Sequence, residues 1–173
     1  MMSALPTLGF AGIGLMGLPM CQRLLAAGYP LVVWNRNPRK CAPLVAAGAR
    51  QVAAPSQLCD QADLVLSCLA NTEVVREVVF GAGGIAEGAR PGQLLLDLSS
   101  LEPAATREMA ATLARDTGMG WVDAPVSGGT QAPRPAAWRS WLAVPPRMSS
   151  GCARCCWPWG SGSRTWARWA RAR

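Results

Sequence analysis

Three glycines in the stretch GIGLMG, Gly12, Gly14 and Gly17, stand at a spacing suited to holding a diphosphate. The chemistry asks for glycine at each place. The first permits a tight turn, the second lets backbone approach a pyrophosphate, and the third lets a helix pack close to a strand. N–H groups at the helix start and the helix dipole then favour the phosphates. The pattern is weak alone but gains force between a strand and a helix. A second signal lies at VVWNRN, where an acidic residue would bind a ribose 2′-hydroxyl. Asn35 and Arg36 stand there instead, with Arg39 and Lys40 close by. A guanidinium beside a neutral amide suits a 2′-phosphate, so NADP is preferred over NAD.

The elements around these residues alternate. TLGFAG reads as a short buried strand, and LMGLPMCQRLLAAG as a helix closing at Gly28. LVVW (31–34) is a second strand. PRKCAPLVAAG begins a helix at Pro38 and stops at Gly48, with Pro43 expected to shorten or kink it. DLVLSCL (63–69) and QLLLDLS (93–99) are apolar strands, each followed by a helix: TEVVREVVF, and Pro103 to about Gly118. GWVDAPVS adds a further strand. This alternation predicts an α/β fold, a Rossmann-type doubly wound parallel sheet with helices on both faces.

Composition divides the chain in two. Overall it has 17 basic and 10 acidic residues, but residues 1–131 hold 9 basic and 10 acidic, a net charge of −1. Residues 132–173 hold eight Arg, no Lys and no acid, together with six of the eight Trp and three of the seven Cys. The basic character therefore belongs to the tail. We expect a dinucleotide-binding domain over 5–131 and an Arg/Trp/Pro-rich, largely disordered segment over 132–173. Cys21, Cys41, Cys59 and Cys68 lack metal-ligand spacing and read as buried apolar side chains in a reducing cytoplasm, with no metal site. No 18-residue apolar run appears in residues 1–131, and the start lacks a charged leader and has its apolar part broken by glycines, so neither a membrane partner nor a signal peptide is expected.

With these motifs in place, the sequence resembles the β-hydroxyacid dehydrogenases. That family includes 3-hydroxyisobutyrate dehydrogenase and tartronate semialdehyde reductase, and is related to 6-phosphogluconate dehydrogenase. GFAGIGLMGLPM (9–20), SCLANTEVVREVVFGAGGIAEG (67–88), LLLDLSSLEPAATREMA (94–110) and VDAPVSGGT (122–130) match its motifs in order. The resemblance implies hydride transfer between NADP or NAD and a small β-hydroxyacid or its semialdehyde. It implies that Gly12, Gly14 and Gly17 hold the pyrophosphate, with backbone donors at Ile13 and at Leu15 or Met16. Asn35 and Arg36 would take the adenosine ribose and its phosphate. Leu69, Ala70 and Asn71 would line the nicotinamide ribose, with Thr72 opening the next helix and Ser100 beside the nicotinamide. Ala70 departs from the proline often found there. Ser127, Gly128 and Gly129 would hold the substrate, although Ser127 also reads simply as a turn residue. Within the enzyme class an imine reductase is the alternative, since it shares fold and cofactor preference.

Such a reaction needs a proton donor or acceptor at the substrate oxygen. The chain has no His, its only Tyr is Tyr29, and its only Lys is Lys40, on the adenosine side. The family assigns this role to a lysine in a C-terminal all-α domain, through which it also dimerises. We expect that domain to be absent, leaving no catalytic residue, dinucleotide binding without turnover, and no family-type homo-oligomer.

The tail has three readings. As an authentic cationic segment it would bind nucleic acid through Arg and Trp, making the chain a non-enzymatic binding module. CARCC as a metal fragment is a poor site. As the product of a reading frame shifted near Gln131, it decodes in the neighbouring frame to a string running from GGTQGAEAG to VGAGQ, which continues the family pattern. Trp has a single codon, so four positions are forced. Trp157–Pro158 must decode to Ala, and Trp159–Gly160, Trp166–Ala167 and Trp169–Ala170 to Gly, all in agreement with that string. The shifted frame is the expectation we carry forward, with nucleic acid not expected as a partner.

Overall fold

The computed structural model describes residues 5–126 and a two-residue strand at 153–154. Strands β1 (Leu8–Ala11), β2 (Leu31–Trp34), β3 (Arg50–Gln51), β4 (Leu64–Ser67), β5 (Leu94–Asp97), β6 (Gly120–Asp123) and β7 (Ala153–Arg154) form one sheet in the order β3-β2-β1-β4-β5-β6-β7. Every pairing is parallel. The helices are α1 (Gly17–Ala26), α2 (Ala42–Ala46), α3 (Ser56–Gln61), α4 (Thr72–Phe80), α5 (Ile85–Gly88) and α6 (Pro103–Thr117), with a 3₁₀ turn at Pro38–Cys41. The doubly wound sheet is as expected. Strand order reverses between β1 and β4, which opens a crevice beyond their carboxyl ends.

Side-chain alternation along the strands builds two cores. Leu8, Phe10, Val33, Leu64, Leu66 and Leu96 face one side, packed with Met20 and Cys21 of α1 and Leu44 of α2. Val32, Val65, Leu95 and Trp121 face the other, against Val75 and Val78 of α4 and Met109 and Leu113 of α6. Strands buried on both faces read as unbroken apolar runs such as LVLS and LLLD. Cys21, Cys41 and Cys59 lie in these cores, where burial pushes the Cys59 thiol up to about 12.

Several boundaries differ from the sequence expectation. Pro43 splits the expected 38–48 helix into the 3₁₀ turn and the short α2, because its ring excludes a continuous helix and its nitrogen has no proton to donate. β2 matches its expected bounds, whereas β1, β4, β5 and β6 are shorter than the stretches expected for them. β3, α3 and α5 were not anticipated, since two to six residues carry too little periodicity. The expectation of a largely disordered tail falls on residues outside those described, apart from β7, whose backbone pairs beside β6.

Helix α6 ends as expected at Gly118, which has φ +72°. A Cβ there would lie 3.1 Å from Pro91 as well as adopting a left-handed backbone. Gly118→Ala should therefore destabilise the fold by about 1–2 kcal/mol, read as a lower urea midpoint at unchanged m-value.

Candidate dinucleotide site

The carboxyl ends of five strands stand in one row: Trp34, Ala11, Ser67, Asp97 and Asp123 are successive register partners. The backbone continues this ladder one residue further, with Gly12 N donating to Trp34 O, Cys68 N to Ala11 O and Leu98 N to Ser67 O. The expected site residues follow directly, so the crevice rim carries the glycine turn, Asn35, Leu69 and Ser99–Ser100.

The three glycines are required for different reasons. Gly12 has φ +103°, and a Cβ would run into the Cys68 carbonyl and Leu69. A Cβ on Gly17 would strike the Gly12 carbonyl and the Phe10 ring. Gly14 is different: among the described residues, its two chain neighbours aside, nothing lies within 4 Å of the Cβ it lacks, and its φ is not left-handed. Internal packing gives no reason for glycine there, whereas close approach of an external group does. Among the described residues the N–H groups of Gly14, Leu15 and Met16 make no hydrogen bond outside the helix. Leu15 is 86% exposed. Open donors at the start of a ten-residue helix, beside a space kept clear, fit a pyrophosphate.

Asn35 does more than expected. Its Oδ1 accepts from Ile13 N at 2.9 Å and its Nδ2 donates to Asn37 O at 2.9 Å. The expected Ile13 donor is thereby corrected: its N–H is held by Asn35 and its side chain is buried. Ile13 and Asn35 tie the glycine turn to the end of β2. Arg36 is exposed, and its Nη2 lies 2.8 Å from Glu77 Oε2 of α4.

On the rim after β4, Asn71 is the N-cap of α4, its Oδ1 accepting from Val74 N at 2.9 Å. Ala70 and Ser100 are exposed on the rim and Leu69 is half-buried. Ser99, which the sequence reading passed over, is buried. Its hydroxyl donates to Asp97 Oδ1 at 2.7 Å and accepts from Leu69 N at 2.9 Å. The same Oδ1 accepts from Ser67 Oγ at 2.8 Å and Ser99 N at 3.2 Å. Asp97 thus joins the loops after β4 and β5. A carboxylate at the end of the apolar run LLLD was the available signal. Ser127, Gly128 and Gly129 lie outside the described residues.

The family model for the NAD binding domain of 6-phosphogluconate dehydrogenase matches residues 7–137, more than half the chain. The chain belongs to that family, a class of domain built for a nicotinamide dinucleotide, NADP or NAD. It is 36% identical over 126 residues to human mitochondrial 3-hydroxyisobutyrate dehydrogenase, covering 73% of this chain and 37% of that protein. It is 33% identical over 124 residues to the cytokine-like nuclear factor N-PAC of Xenopus tropicalis, covering 72% of this chain and 23% of that one. Among solved structures, Mycobacterium tuberculosis 3-hydroxyisobutyrate dehydrogenase with L-serine superposes at TM-score 0.68 and 31% identity, over 79% of this chain and 44% of that one. The imine reductase of Myxococcus stipitatus in complex with NADP+ does so at 0.66 and 28%, over 72% and 42%. The chain thus spans between about a quarter and two fifths of these two curated relatives' length.

Asp97 also sets a pH dependence. Burial pushes its carboxyl from an ordinary 3.8 up to about 6, against the hydrogen bonds from Ser99 and Ser67 that favour the charge; its Oδ2 is buried without a partner among the described residues. Between these values the unfolded chain releases the proton and the folded one retains it. The contribution to stability is therefore full below pH 4 and lost as pH rises through about 6. D97N removes this titration. Relative to D97N, the wild-type chain should lose roughly 2 kcal/mol between pH 4 and pH 7, measured by urea unfolding at both.

Proposed function

We propose that the domain binds NADP(H) in preference to NAD(H), and that its reaction type is hydride transfer to or from a small β-hydroxyacid or its semialdehyde. The open space at Gly14 carries the reading, because only an external group explains glycine there. Gly12, Gly14 and Gly17 shape the turn, Leu15 and Met16 offer N–H donors, and Asn35 fixes the turn from behind through Ile13. Arg36 pairs with the 2′-phosphate. Leu69, Ala70, Asn71 and Ser100 border the nicotinamide ribose, held in place by the Asp97–Ser99 connection. When bound, the nicotinamide supplies or accepts the hydride. Ser127, Gly128 and Gly129 hold the substrate's polar groups.

Proton transfer is the missing function. Lys40 sits in the 3₁₀ turn after β2, on the adenosine side, and there is no second Lys and no His. The chain accordingly acts as a dinucleotide binder without turnover, in a reducing cytoplasm. Its residues after about Gln131 derive from a shifted frame; the family match runs six residues past that point, to residue 137. Sequencing the encoding DNA across the Gln131 codon tests this. A neighbouring frame that runs on into a lysine-bearing helix supports it, and its absence removes the shifted-frame reading.

Titration calorimetry of the full chain with NADP+ tests the binding. Gly14→Val should reduce affinity at least about tenfold, because its side chain fills the phosphate space. Its unfolding free energy should stay within about 0.5 kcal/mol of wild type, as for a surface substitution. Unchanged binding in this variant would overturn the assigned pyrophosphate position.

A further inference from the structure

The end of β2 lacks the acid that usually selects NAD, and the guanidinium that follows it is paired with a carboxylate from another element. Glu77, on α4, holds Arg36 through one Nη2–Oε2 contact at 2.8 Å, across 41 residues of sequence. Both side chains are about two-thirds exposed, 63% and 66%, so the pair is solvated and readily exchanged. The backbone beneath Arg36 is fixed. Asn35 bonds to Ile13 N and Asn37 O, and Asn37 Oδ1 accepts from Arg39 N. What varies is therefore the partner of the guanidinium, and Glu77 occupies it.

We infer that Glu77 is a cofactor-discriminating residue, competing with the 2′-phosphate of NADP for Arg36. The inference rests on the proposed dinucleotide site. Pairing with a 2′-phosphate requires Arg36 to exchange a carboxylate for a phosphate and brings two anions close together. A 2′-hydroxyl carries no charge and meets neither demand. Glu77 thus weakens the preference for NADP that Arg36 creates, and leaves a site able to take either dinucleotide.

The test measures equilibrium affinities of the full chain for NADP+ and NAD+ by calorimetry, in wild type, E77Q, R36Q and the double variant. E77Q should raise the ratio of NADP+ to NAD+ affinity roughly two- to fivefold, the size of an exposed ion pair. R36Q should lower that ratio, and in the R36Q background E77Q should change it little, since the two residues act on one another. An unchanged ratio in E77Q, or the same rise with and without Arg36, overturns the inference while the dinucleotide site stands. Failure of wild type to bind either nucleotide overturns the site itself, and this inference with it.

Discussion

At the end of β1 the chain turns in a space that excludes even a methyl group. Gly12 passes the Cys68 carbonyl just after β4, and Gly17 then sits against the carbonyl of Gly12. These two approaches set how near α1 lies to the sheet, and so where its first N–H groups stand. They also fix the seam between β1 and β4, where strand order reverses and the crevice opens. A larger residue at either place would displace the helix, the seam or both. Gly14 then supplies clearance between two immovable neighbours.

Further along the rim the constraint is polar. Asp97 is fully buried, yet it gathers two serine hydroxyls and one backbone N–H on a single oxygen. Through Ser99 that network reaches Leu69, so the loops after β4 and β5 cannot shift independently. Burying a carboxyl costs stability unless it is well bonded. Here one oxygen is fully used and the other is bare. The domain therefore holds this part of its rim with a group that is itself under electrostatic tension.

Much of this was legible in the residues. TEVVREVVF delimits α4 to the residue, and Pro103 with Gly118 brackets α6, because proline and glycine mark helix ends by their backbone limits. The glycine turn was legible because its chemistry is local. The Asp97–Ser67–Ser99 cluster was not read, since it joins strands 30 residues apart that only the register brings together. The role of Asn35 as a strut for Ile13 was missed for the same reason. Glu77 carries no signal in the sequence, and only the fold sets it opposite Arg36. Short pieces such as β3 and α5 owe their form to neighbours more than to their own sequence.

The position of β1 in the sheet also governs how the chain must assemble. β1 pairs with β2 on one side, but its other partner is β4, with Leu8 beside Leu64. During synthesis from the N-terminus, a strand destined for the centre has an open hydrogen-bonding edge until residues 64–67 emerge. The β1–β2 half cannot close its seam earlier, and parallel pairing over such a separation is slow because loop closure precedes its reward. The centre of the finished sheet is thus the last of the early strands to be enclosed, and its exposed edge is where the growing chain is most open to wrong partners.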